Sequence, residues 1–250
     1  MTGDRRAAGR QILAVPESPS TNAELRERAH EAEAWPHLSV LFTRNQTAGR
    51  GRLDRQWTAP PGTGLAVSVL LRELPAPALR GWISLAAGLA TADAISTQLP
   101  HHDVGVKWPN DVLVDDHKIS GVLAEATAEV VIVGIGINTA MSAEHLPVPT
   151  ATSFAALGAE ADEDRLVDDI VTGLDALVEL LKTAGHAPVR DRIAARCLTL
   201  GRRVQAQLPG GAVIQGAAES LDDDGRLVIV ADDGRHPVAA GDIVHLRPAD

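Results

Sequence analysis

Beyond Cys197 the sequence breaks into five short segments of strand composition, RRVQAQL, AVIQGAAESL, RLVIVA, HPVAA and IVHLR, separated by PGG, DDDG, DDGR and GD. Each spacer is made of residues that turn a chain tightly. Five strands in about 50 residues predict a small barrel of the SH3-like kind.

The residues before that point show two other periods. RQILAVP (10–16), LSVLF (38–42), LAVSVLL (65–71), VGVKW, DVLV, ISGVLAE and VVIVGIGI read as strands. LAVSVLL is apolar on both alternating faces, as a strand covered on both sides should be. DDHK (115–118) reads as a hairpin turn between two of them. Thr21 and Glu24 form a T-x-x-E capping box that opens a helix in STNAELRERAHEAEAW. A second helix is predicted over 79–99. A third, in DRLVDDIVTGLDALVELLK, carries Leu166, Ile170, Leu174, Leu177, Val178 and Leu181 on one stripe. Hairpins and helices together predict an α/β (α+β) domain with a mixed sheet over 1–197 and a small β domain over 198–250.

The chain has 250 residues, 33 acidic against 23 basic, for a net charge of −10. That balance argues against a general nucleic-acid binder, which presents a basic face. One cysteine, Cys197, excludes an internal disulfide and fits a reducing compartment. Cys197 sits in a helix-like segment and reads as a buried thiol. The N-terminus, MTGDRRAAGRQILAV, lacks the apolar run of a signal peptide. No stretch reaches the ~20 apolar residues of a membrane helix. The expectation is a soluble cytoplasmic protein, bound to neither nucleic acid nor membrane.

Against that acidic background, QTAGRGRLDRQW (46–57) gathers Arg50, Arg52 and Arg55 beside two glycines. Glycine lets a backbone approach a ligand closely, and arginine offers a fork of donors for phosphate or carboxylate. A solvated surface loop is the competing reading. In VKWPNDVLVDDHKISG (106–121), Pro109 biases Trp108 to an extended backbone, so a strand end delivers Lys107 on one face and Trp108 on the other. Lysines at strand ends are more often surface residues. Asn110 and Asp111 either shape a turn or hold a metal, the turn being favoured. In VVIVGIGINT (130–139), G-I-G suggests a dinucleotide turn, but Thr139 stands where G-x-G-x-x-G needs glycine. A buried strand remains, with Asn138 as its polar tip facing a pocket. Ser20, Thr21 and Asn22 are helix-start residues that also suit a polar ligand group. No nucleophile stands out, the histidines lack metal-ligand spacing, and His245 reads as structural.

GRGRLDRQW, KWPNDV, K-I-S-G-V-L-x-E and VGIGIN occur in this order, with S-T-N and Gln46 ahead of them. Together they resemble the biotin protein ligases over the whole chain. The resemblance implies a catalytic domain similar to that of class II aminoacyl-tRNA synthetases, followed by an SH3-like domain. It implies formation of biotinyl-5′-AMP and pyrophosphate from biotin and MgATP. Biotin then passes to one lysine of a biotin carboxyl carrier protein domain of an acyl-CoA carboxylase such as acetyl-CoA carboxylase. By motif, Ser20, Thr21, Asn22, Gln46 and Gly121 line biotin, and Arg50, Gly51 and Arg52 are in the loop that covers biotin and its adenylate. Arg55, Trp57, Gly134, Gly136 and Asn138 face the adenylate. Lys107 bridges biotin's carboxyl and the α-phosphate. Lys118 assists at the phosphates, with Asp111 beside it.

Two departures stand out. Asp54 replaces a glycine common in the family's loop, and residues 139–153 lack the tryptophan that closes the adenine in some members. Fewer than ~20 residues precede S-T-N, too few for the helix-turn-helix domain of the family's repressors, so a ligase without repressor activity is expected. Lipoate–protein ligase is the nearest alternative. A binding module without turnover is another, against which Lys107 and Lys118 together argue.

Overall fold

The computed structural model describes residues 3–7, 9–52, 55–239 and 241–246. β1 (Gly3–Ala7) and β2 (Arg10–Ala14) form a hairpin, and α1 (Thr21–Arg28) crosses to β3 (Ser39–Thr43), which pairs parallel to β2. β4 (Gly49–Arg50) and β5 (Gln56–Trp57) make a separate ribbon before β6 (Gly64–Leu71) rejoins the sheet. α2 (Ile83–Gln98) leads into β7 (Val104–Lys107), β8 (Asp111–Val114), β9 (His117–Ala126) and β10 (Val131–Asn138). α3 (Glu163–Ala184) and α4 (His186–Ala195) follow. The last strands are β11 (Arg203–Gln207), β12 (Val213–Leu221), β13 (Leu227–Ala231), β14 (Gly234–Val238) and β15 (Asp242–His245).

The main sheet runs β1-β2-β3-β6-β10-β9-β8-β7, antiparallel except at β2–β3. Strand alternation divides its apolar residues between two cores. Val67, Val69, Val133 and Ile135 pack toward α2 and α3, while Leu41, Leu70 and Ile132 pack with Leu25 of α1 and with Trp35. Every residue of β6 is buried, as its doubly apolar pattern predicts. The six apolar positions anticipated on α3 are all buried as well.

Two local expectations change. Ser20, not Thr21, caps α1, its hydroxyl accepting from Ala23 N at 3.4 Å. Glu24 instead accepts from Ser18 Oγ at 2.9 Å and from Arg28 at 2.7 Å. Cys197 lies past α4, in a single parallel bridge to Val106. Burial pushes its thiol pKa up, so it is an inert core residue.

The C-terminal strands form one antiparallel sheet, β14-β13-β12-β11-β15. Tryptophans of the larger unit hold it by the turn between β12 and β13. Trp82 Nε1 donates to Asp223 O and Trp108 Nε1 to Gly225 O, each at 3.0 Å. Burying an indole is favourable only when its N–H finds an acceptor, so these bonds help hold the C-terminal sheet against the larger unit.

Candidate active site

On the α1 face of the sheet, strand register aligns rows of residues. One row crosses five strands as Ala66, Gly136, Gly121, Asp111 and Lys107. Behind it lie Ser68, Gly134 and Leu123. The first row ends in two charged groups and otherwise carries nothing larger than a methyl, so a cavity of about 390 Å³ opens above it. This explains G-I-G without a dinucleotide turn. Both glycines face the cavity, where other side chains lie on their bare backbone. A Cβ on Gly134 would stand 2.4 Å from Asn22 Oδ1, and one on Gly136 would stand 2.6 Å from the Trp57 ring.

The floor is polar and internally hydrogen-bonded, with Thr21, Asn22 and Ser68 buried and Gln46 half-buried. Gln46 Oε1 accepts from Thr21 N (2.8 Å) and Thr21 Oγ1 (3.1 Å). Ser68 Oγ lies 2.8 Å from Thr21 Oγ1 and donates to Asn22 Oδ1 at 2.6 Å. Ser68 was missed by sequence reasoning. Its signal was a lone hydroxyl in an otherwise apolar strand, which must find a buried partner.

The rim is cationic. Gly51 N donates to Arg55 O at 2.7 Å, closing the β4–β5 ribbon. Arg50 and Arg52 are thereby set over the cavity; Asp54 lies outside the described residues. Each of these cations already has a polar partner. Arg50 meets Glu125 (3.3 Å), Arg52 donates to Asn110 Oδ1 (3.0 Å), Lys118 meets Asp111 (2.6 Å), and Arg55 pairs with Asp242. Lys118 owes its position to a β-bulge. Pairing steps from Val112↔Ser120 to Leu113↔Lys118, so Ile119 drops into the core and Lys118 turns to the cavity.

Lys107 makes no ion pair among the described residues. Burial is the main cause lowering its pKa from the usual lysine value, opposed by Asp111 and reinforced by Lys118. An arriving anion reverses that effect. Nearby His245 is pushed down to about 4 by burial, then by Lys107 and Arg202, so at neutral pH it adds no charge against Lys107.

The structure thus brings together Ser20, Thr21, Asn22, Gln46, Arg50, Gly51, Arg52, Arg55, Trp57, Lys107, Asp111, Lys118, Gly121, Gly134 and Gly136 on one cavity. Trp108 faces away from Lys107 into the inter-sheet contact, as its alternation requires. Asn138 is not on the cavity wall; its amide donates to Thr152 O at 2.9 Å, tying the end of β10 to the next segment. Gly241 to Val244 also line the cavity, so β15 is one of its walls. Nothing in the sequence announced that.

Comparison with known proteins matches residues 14–141 to the biotin/lipoate A/B protein ligase family and 199–246 to the biotin protein ligase C-terminal domain. A biotin–acetyl-CoA-carboxylase ligase of Mycobacterium tuberculosis is 39% identical, over 95% of this chain and 90% of the relative. The chain belongs to the biotin protein ligase family. A second such ligase, from Paracoccus denitrificans, is 32% identical over 90% of this chain and 96% of its own length. The Escherichia coli bifunctional ligase/repressor BirA is 30% identical, aligned over 97% of this chain and 76% of the relative. Among solved structures, the Aquifex aeolicus biotin protein ligase in complex with biotin and ATP superposes with a TM-score of 0.78 at 27% identity, covering 94% of this chain and 98% of that one. The mixed α/β sheet and the C-terminal five-stranded sheet expected from the sequence are the family's architecture.

Proposed function

We propose that the chain is an ATP-dependent biotin–protein ligase. The observation that carries this is one cavity in which an uncharged, hydrogen-bonded floor adjoins Lys107, Lys118 and three arginines. A neutral ring system with a carboxylate tail fits the floor, and a triphosphate fits the rim.

In the first step a biotin carboxylate oxygen attacks the α-phosphorus of ATP. That O–P bond forms as the bond to pyrophosphate breaks. Two anions must meet, so fixed cations supply most of the catalysis. Lys107, at the β7 end of the row of small residues that floors the cavity, bridges carboxylate and α-phosphate. Lys118, oriented by Asp111, holds the phosphates, with Arg55 further out. Arg50, Gly51 and Arg52 cover biotin and the adenylate, and Trp57 walls the side. Asn138, off the cavity wall, has a structural part only, holding the segment after β10 through Thr152. In the second step the ε-amine of one carrier lysine attacks the acyl carbon and AMP departs, its phosphate keeping the bond electrons while the amine's proton goes to solvent. Neither step needs an enzyme nucleophile.

Magnesium enters as MgATP. Such an ion would neutralise phosphate charge and would be held chiefly by the phosphates, with Asp111 the carboxylate on the cavity. We place the domain boundary near residue 198, which the two family matches on either side support. The acceptor is a biotin carboxyl carrier domain of an acetyl-CoA carboxylase, by analogy with the relatives. No helix among the described residues is long and apolar enough to cross a membrane, which agrees with a cytoplasmic enzyme.

Incubation with ATP, a carrier domain and either biotin or lipoate tests this. Pyrophosphate release and a carrier mass increase with biotin alone are expected. Lipoylation, or neither product, overturns it.

A further inference from the structure

Glu125 is outside the residues that line the cavity, yet its carboxylate joins the two halves of the site. It lies on β9 in register with Ile132, one row beyond Leu123 and Gly134, on the face that α1 covers. One oxygen, Oε2, accepts from Asn22 Nδ2 at 2.8 Å. The other, Oε1, meets Arg50 at 3.3 Å and Arg26 at 3.4 Å.

Asn22 Nδ2 also donates to Leu123 O at 3.2 Å, while its Oδ1 accepts from Ser68 at 2.6 Å. An ionised carboxylate and a backbone carbonyl only accept. Both amide protons are therefore committed to β9, and Oδ1 must point toward the floor. Asn22 is 5% exposed, so a misoriented amide would leave buried groups unpaired. The same carboxylate is the ion partner of Arg50, the first arginine of the ribbon that crosses the cavity.

We propose that Glu125 is a positioning residue. It fixes the orientation of the Asn22 amide for the ligand and latches the arginine ribbon to the floor through Arg50. This rests on the ligase reading for the ligand's identity, but the latch itself does not.

Two variants separate the roles. Glu125→Gln keeps an acceptor for Asn22 and loses the charge facing Arg50; Glu125→Ala loses both. Limited trypsin cleavage after Arg50, in protein without ligand, should quicken several-fold in both variants. In pyrophosphate release, Glu125→Ala should raise the KM for biotin on the order of tenfold, with kcat within about twofold, whereas Glu125→Gln should stay near wild type. Wild-type cleavage in both variants overturns the latch. An unchanged KM in Glu125→Ala overturns the orienting role, as does an equal KM rise in both. A parallel fall of kcat with lowered Tm in both would show mere structural support and also overturns the proposal. If wild-type protein releases no pyrophosphate, the ligase reading fails, while the cleavage comparison still decides the latch.

Discussion

The floor of the cavity and its rim are built on opposite principles. Thr21, Asn22, Gln46 and Ser68 sit on a helix start, a short bridge and a buried strand, their hydrogen bonds made before any ligand arrives. The rim cations are partly exposed and rest against acids or an amide that a stronger anion displaces: Arg50 on Glu125, Arg55 on Asp242, Lys118 on Asp111, Arg52 on Asn110. A prepaid floor gives shape selectivity, because any misfit leaves buried polar atoms unpaired. A rim with exchangeable partners gives charge stabilisation without leaving bare cations together in the empty site. Lys107 fits neither pattern, since it makes no ion pair among the described residues, and the contrast predicts the heaviest losses there.

Lys107→Ala should slow adenylate formation by several hundredfold at saturating biotin and ATP, roughly the 3–4 kcal/mol of one lost charge-stabilising donor. Pyrophosphate release at an unchanged rate would remove Lys107 from the chemistry. Its lowered pKa adds a sign. The charged form is needed and is lost as pH rises, so kcat/KM should fall on an alkaline limb below the ordinary lysine value of 10.5. Lys107→Arg, charged throughout, should push that limb upward; an identical limb in both proteins would assign it to another group.

Gly134→Ala attacks the floor. Its Cβ would meet Asn22 Oδ1 at 2.4 Å, so the biotin KM should rise about 10- to 100-fold, the scale of 1–3 kcal/mol of overpacking. Calorimetry showing wild-type biotin affinity would mean Asn22 is not part of the floor. Arg52→Gly attacks the rim. Release of biotinyl-AMP should accelerate about tenfold, with biotin affinity nearly unchanged. Loss of biotin affinity alone would erase the distinction between the regions. The smallest effect belongs to Asp242→Asn. The Arg55–Asp242 pair is exposed, and exposed pairs are worth about 0–1 kcal/mol, so adenylate formation should stay within about fivefold of wild type. A larger loss would make β15 a working part of the rim.

How much of this could be read in advance differs from residue to residue. The arginines, Lys107, Lys118, Asp111 and the S-T-N triplet lie in short runs whose residue types already suggest anion or polar-ligand binding, and all of them reach the cavity. Ser68 lies in a strand segment whose pattern says only that a strand is present, and Glu125 closes the K-I-S-G-V-L-x-E run without the run itself giving it a role. Their roles come from neighbours in other strands and in α1. Thr21 looked like a cap because T-x-x-E fits a box, but its hydroxyl is drawn to Gln46, 25 positions away.

The chain's own order of residues determined its periods, its turns and the presence of clustered cations, because those depend on groups a few bonds apart. Register and docking decided the rest. A bulge turned Lys118 into the cavity, two indole N–H groups, each needing an acceptor, help dock the C-terminal sheet, and in that docked sheet Asp242 of β15 meets Arg55 across 187 positions of sequence. Such contacts arise only when buried polar groups and apolar faces from distant segments are satisfied together, which no local pattern encodes.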